Sequence, residues 1–180
     1  MKAMLTKMRI AAPPLLFALS LTACVDSAAP LLTDAQPMFG PHLRLHAYSV
    51  VDGQASGPET GAFQWERGQY RPVGRATFNI PWITAHAFAG NDLIIQAGNA
   101  KQRDKIEYAI ARKLTDAVYL VIAIDEEDAD EATRTKFCSK TRASSCRMAT
   151  RDALMAFAQA TAAKRDPKGG LAIIVVPPGP

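Results

Sequence analysis

"DKIEYAIARKLTDAVYLVIAI", Asp104 to Ile124, decides the fold, because its first half carries two periodicities at once. Ile106, Tyr108 and Ile110 recur at every second residue, as on a half-buried strand; Ile106, Ile110 and Leu114 recur as on one face of a helix. The continuation tips the balance. Turn-like Thr115-Asp116 leads directly into "AVYLVIAI", whose β-branched and apolar content is that of a buried strand. Strand is therefore expected for residues 103–114 as well, and a meander for 93–124.

Upstream the same pattern extends to Leu43. "LIIQA" is preceded by the turn residues "AGND" and followed by "GNAKQ". "LRLHAYSVV" alternates, with Leu43, Leu45 and Ala47 opposite Arg44 and His46. "GAFQWERGQYRPV" resembles a hairpin in which Phe63 and Trp65 alternate before Arg67-Gly68 and Tyr70 and Val73 follow it. Pro72, which has no N–H to give a ladder, suits only an edge. "ATFNI" and "TAHAF", split by Pro81, complete the strand region.

Downstream, the acidic run Asp125 to Thr133 suits the start of a short helix reaching about Phe137, since carboxylates stabilise a helix N-terminus. A second helix follows Thr150, a good N-cap, with Leu154, Phe157, Ala158 and Ala162 as its apolar stripe and Lys164 and Arg165 near its end. "LAIIVV" is a final buried strand, stopped by Pro177-Pro178. The expected class is α+β: an antiparallel β-meander of roughly six to eight strands, one or two C-terminal helices and a final buried strand, all in one domain over 42–180.

The N-terminus has a different character. Met1–Arg9 carries Lys2, Lys7 and Arg9 and no acid, and Ile10 to Leu21 is apolar apart from Pro13, Pro14 and Ser20. That order is the pattern of a secretory signal. A membrane span would need about 20 apolar residues, and the two prolines would break its first turn. Residues 24–41 read as a tether punctuated by Ser27, Pro30, Asp34, Pro37, Gly40 and Pro41. Leu31, Leu32, Met38 and Phe39 are too apolar for pure solvent, so they are expected to lie across the domain and cap its core; a docking segment is the alternative.

Leu21-Thr22-Ala23-Cys24, at the end of the apolar run, resembles the lipobox of bacterial lipoproteins. The resemblance covers only about the first 25 residues and implies an export route rather than a fold. It implies that residues 1–23 are removed and that Cys24 receives a diacylglyceryl thioether, its new amine also acylated (palmitate or a similar chain). The rival is ordinary secretion with cleavage after Ala23. Two or three acyl chains hold a protein on a bilayer stably, where one binds reversibly. In the family, Asp directly after the lipidated Cys favours retention in the inner membrane; here that position is Val25, which leans toward the outer membrane. The partner implied is the membrane itself, with the body facing the periplasm.

Losing the leader lowers Lys+Arg from 21 to 18 against 17 Asp+Glu, and the formal charge from +4 to +1. No basic run remains that could track nucleic acid. With Cys24 consumed by lipid, Cys138 and Cys146 are left as a pair closing "CSKTRASSC", and in an oxidising compartment a structural disulfide is expected. A redox pair usually has C-x-x-C spacing. A zinc site would need two more ligands, and no His lies within 50 residues of either cysteine.

His42 and His46 share one face of a strand or helix, but lack a neighbouring carboxylate and sit beside Arg44; surface positions are expected. The acids from Asp125 to Glu131 fail the EF-hand pattern, which wants Gly sixth and Glu twelfth. No serine occupies G-x-S-x-G or S-x-x-K, and no glycines form a phosphate loop. Trp65, Trp82, Tyr70, Phe63 and Phe78 are expected as core or cross-strand pairs. The reading is an exported, lipid-anchored, non-enzymatic interaction module with an envelope or cell-wall partner, needing no cofactor or metal. Two rivals stand beside it: a small-ligand carrier with strands curled around an apolar pocket, and an enzyme, which would need His42, His46 or His86 near a carboxylate in a cleft.

Overall fold

Alternation of side chains organises the body. In the computed structural model, which describes residues 25–51, 54–55, 57–74, 79–140, 146–162 and 169–175, the strand His42–Val51 (β2) buries Leu43, Leu45 and Ala47 on one face. A short strand, Gln54–Ala55 (β3), folds back on it. Glu59–Glu66 (β4) and Gln69–Val73 (β5) form the expected hairpin. Its two turn residues, Arg67 and Gly68, both have positive φ (+50° and +80°), as the favoured two-residue hairpin turn requires. Ile83–Ala87 (β6), Leu93–Gly98 (β7), Ile106–Lys113 (β8) and Val118–Ala123 (β9) follow as consecutive antiparallel strands. The meander over 93–124 is thus present, and 106–113 is strand. Of "ATFNI", residues 76–78 lie outside the described residues and Asn79-Ile80 are not in a strand.

The last strand, Gly169–Val175 (β12), inserts between β9 and β2, antiparallel to both. That insertion closes a ring: β2, β4, β5, β6, β7, β8, β9 and β12 pair in turn and return to β2. Eight strands give a barrel whose inside is just wide enough to be filled by side chains or to hold one small ligand. The thinnest seam is between β5 and β6, where Tyr70↔Ile83 is the one registered pair among the described residues. Pro72 sits on this strand, which is all but an edge on that side, so its missing N–H costs little.

Leu43, Leu45, Phe63, Tyr70 and Ile83 pack together inside one half of the barrel, and Ala85, Leu93, Ala109, Ala111 and Val121 inside the other. Phe39 enters from the N-terminal segment and touches both groups, its ring 6.1 Å from that of Tyr70 and 5.5 Å from that of Tyr119. Among the described residues these side chains fill much of the space between the barrel walls.

A second core lies on the outer face of β6–β8. There Ile94, Tyr108 and Ile110 meet Leu154, Phe157 and Ala158 of the helix Arg151–Ala162 (α2). Burying Leu154 and Phe157 stabilises by about 1.5–3 kcal/mol each. Strand β8 is therefore covered on both sides, alanines inside and Tyr108 and Ile110 outside, so it is buried on both faces where its period-two pattern suggested one. Thr150 caps α2 as expected, accepting from the Ala153 N–H at 3.2 Å; Thr161 joins its buried stripe, and Ala162, expected there, is half-buried against the same core.

The acidic run makes two short elements instead of one helix. Asp125 caps a single 3₁₀ turn, Glu126–Asp128, and Asp130 caps the helix Glu131–Phe137 (α1), accepting from the Thr133 N–H at 2.8 Å. Two Asp side chains competing for nearby amides divide the segment. Close packing fixes one glycine: a Cβ on Gly98 would stand 2.5 Å from Trp82 Nε1.

The segment read as a tether differs most. Val25–Ser27 (β1) is a strand with all three residues buried, joined antiparallel to β8 and parallel to Cys146–Arg147 (β11), which in turn pairs with Ser139–Lys140 (β10). Leu32 is buried in the outer core and Leu31 packs against it. The chain after Cys24 is part of the body, because β8 offers an unpaired edge beyond the end of β9 and Val25 has an apolar place to fill.

Candidate functional site

Two neighbouring features bring several polar side chains together: the N-terminal strap, residues 25–32, and a cleft beside it.

The strap is fastened by a lone amide in an apolar strand. Gln96, fully buried on β7, accepts from the N–H groups of Leu31 (2.9 Å) and Leu32 (3.1 Å) and donates to the Leu32 carbonyl (3.1 Å). One side chain thus imitates a strand partner. It also donates to Thr84 Oγ1 at 3.2 Å and accepts from Tyr108 Oη at 3.3 Å, while Tyr108 and Ser27 hydroxyls lie 2.6 Å apart. Burial pushes the Tyr108 hydroxyl's pKa up, against the opposing hydrogen bonds from Ser27 and the Leu31 backbone.

At the start of the strap, Asp26 has only 2 % of its side chain exposed. It accepts from Arg147 Nε at 2.9 Å, with Lys105 Nζ 3.9 Å from its other oxygen. Lys105 also lies 3.4 Å from Glu107, which accepts from Asn99 Nδ2 at 2.9 Å. Arg147 is placed by β11, and β11 is placed by the disulfide. Cys138, at the end of α1, and Cys146, in β11, are bonded, with Cα atoms 4.7 Å apart. Glu126 brings a carboxylate oxygen within 4.8 Å of both sulfurs, the one such three-residue grouping among the described residues; bonded to each other, those sulfurs offer no thiolate to a metal.

The cleft, about 240 Å³, is lined by Leu32, Asp34, Met38, His86 and Arg151 among others. Strand β6 supplies His86, the strap's continuation supplies Asp34, and the first residue of α2 supplies Arg151. His86 Nε2 lies 3.0 Å from Thr84 Oγ1, which links the cleft to the Gln96 network. Burial, chiefly, and the Arg151 charge depress the His86 pKa below its usual 6.5, while Asp34 opposes them. A cation, a carboxylate, an imidazole and apolar walls suit a small molecule with both charged and apolar parts.

Of the residues singled out in the sequence, Cys24 lies outside the described residues. Cys138 and Cys146 are joined. His42 is exposed and His46 half-buried on the outer face of β2, opposite Gln64 and Thr60 of β4, away from the cleft. Trp65 and Tyr70 form a cross-strand pair, ring centres 4.8 Å apart. Sequence reading missed the meeting of His86, Asp34 and Arg151, which lie on three separate segments. One signal did exist: Gln96 inside "LIIQAG" is a buried polar side chain that must find partners. No helix among the described residues is long and apolar enough to cross a membrane.

Compared with protein-family models, curated proteins and solved structures, the chain finds no match.

Proposed function

We propose that the chain is an exported lipoprotein, acylated on Cys24 after removal of residues 1–23, whose barrel faces the periplasm as a non-enzymatic interaction module of the envelope. The outer membrane is its place, given Val25 after the anchor. One observation carries the reading: Leu21-Thr22-Ala23-Cys24 ends a leader that is basic, then apolar, then small. The bonded Cys138–Cys146 pair supports it, being the kind of cross-link that persists in oxidising compartments. Intact-mass measurement of membrane-extracted protein tests it. The mature chain should begin at Cys24 and carry diacylglycerol plus an amide-linked acyl chain, and Cys24→Ser should accumulate as the uncut precursor. A full-length, unmodified mass for the natural chain refutes it.

The cleft favours a second reading, a small-ligand carrier whose site is on the barrel's flank rather than inside it. Its ligand would place a carboxylate on Arg151 and a positive or donor group on Asp34. Shifts in the His86 and Arg151 NMR signals on titration with free amino acids, lost in Arg151→Ala, test it.

A further inference from the structure

Cys24 is followed directly by Val25, and Val25 is already inside the sheet. As a tether, residues 25–41 could carry the body up to ~60 Å from its attachment, at 3.3–3.6 Å per extended residue. The strap leaves none of that length free.

Its fastenings are distributed along the whole segment. Val25 and Asp26 register with Cys146 and Arg147, Asp26 and Ser27 with Glu107 and Ile106. The Asp26 carbonyl accepts from the Met148 N–H at 2.7 Å, its carboxylate is held by Arg147, and Gln96 binds both amides of Leu31-Leu32. Drawing the strap out would take its carboxylate from Arg147 and leave Gln96, Tyr108 and Val25's pocket without partners. Each buried polar group left unpaired in this way costs about 1–3 kcal/mol.

Resting on the lipoprotein reading, we infer that the body is mounted directly on the bilayer, with no spacer between lipid and fold. One trans peptide unit, about 3.8 Å between Cα atoms, separates the acylated cysteine from the first sheet residue. The surface around the start of β1 therefore has the bilayer headgroups as its occupant. A chain of this size has a radius of gyration of about 15 Å and is about 40 Å across. Everything the protein touches lies within about that distance of the headgroups, so any partner must itself reach the membrane surface.

Hydrogen exchange on the full-length, acylated protein in phosphatidylethanolamine–phosphatidylglycerol nanodiscs tests this, with intact mass read on the same sample. The amides of residues 26–32 should exchange at least ~100-fold more slowly than in an unstructured peptide. A six-residue Gly-Ser insertion between Cys24 and Val25 should keep that protection and raise the body by up to ~20 Å in neutron reflectometry on a supported bilayer. Acylated protein whose residues 26–32 exchange at the unstructured rate, or an insertion that leaves the height unchanged, overturns direct mounting while sparing lipidation. An unacylated mass overturns the lipoprotein reading and the mounting with it.

Discussion

Arg147 Nε reaches the carboxylate of Asp26 at 2.9 Å across a sequence separation of 121 residues, tying the first strand of the body to the segment that precedes α2. The carboxylate is buried, while Arg147 keeps 34 % of its side chain exposed, so the two ends of the pair respond differently to removal. Taking away Arg147 leaves an uncompensated buried charge, which costs about 3–5 kcal/mol when nothing else approaches. Lys105, 3.9 Å from the other oxygen, softens that loss. Arg147→Ala should therefore lower unfolding free energy by about 2–3 kcal/mol. Asp26→Asn, which removes the charge but keeps the shape, should cost less. Urea melts of the body compare them; equal effects would contradict the burial asymmetry.

The Cys138–Cys146 bond closes a nine-residue loop and holds β11 beside β1. A loop that short contributes roughly 2–3 kcal/mol through the unfolded chain. Paired Cys138→Ser and Cys146→Ser substitutions should destabilise by about that amount and, more specifically, speed hydrogen exchange at residues 25–27 well before the barrel strands. Uniform acceleration across the molecule would show that the bond does not act through β11.

How far the sequence announced this architecture varies with the kind of pairing. Most of the meander strands pair with their neighbours in sequence, and the alternation and turn chemistry that specify β2, β4, β5 and β7 are local, so those strands are readable from the chain itself. Closure is not: β12 inserts between β9 and β2, and nothing local in "LAIIVV" names those neighbours. Strand β1 was hidden for the opposite reason. Three residues, "VDS", are too few to show a period, and an Asp in the middle argues for solvent until Arg147 and Lys105 are known to meet it. The cleft was illegible because Asp34, His86 and Arg151 converge only through the strap, β6 and α2. The disulfide, by contrast, followed from counting cysteines once Cys24 was set aside.

Tyr70 closes the barrel mouth with both functions of its hydroxyl, accepting from the Phe39 N–H and donating to the Gly40 carbonyl, each at 2.9 Å. Burial raises its pKa, as it does for Tyr108. With folded values above the unfolded one of about 10, the native state keeps these protons longer than the unfolded state does. Their contribution is complete below pH 10 and declines as pH rises through the folded values. Stability measured between pH 8 and 11.5 should be flat, then fall. Tyr70→Phe should start about 1–3 kcal/mol lower, because two backbone groups lose their partner, and should show a shallower alkaline fall; an unchanged slope would mean Tyr70 titrates as freely folded as unfolded.

His86 gives the acid-side counterpart. Its folded pKa lies below 6.5, so the unfolded chain takes up the proton first, and stability that is present above 6.5 is lost as pH falls through the depressed folded value. The cleft residues set the size of that effect. Arg151→Ala removes one of the two influences that hold the value down and should move it up toward 6.5, leaving the depression due to burial. Asp34→Asn removes the opposing influence and should move it further down. Opposite displacements of the His86 ring signals in NMR titrations of the two variants would establish that all three groups face one another across the cleft. Displacements of the same sign, or none, would show Asp34 and Arg151 to be too far from the imidazole to be felt, and would remove the charge pattern on which any small-ligand role for the cleft depends.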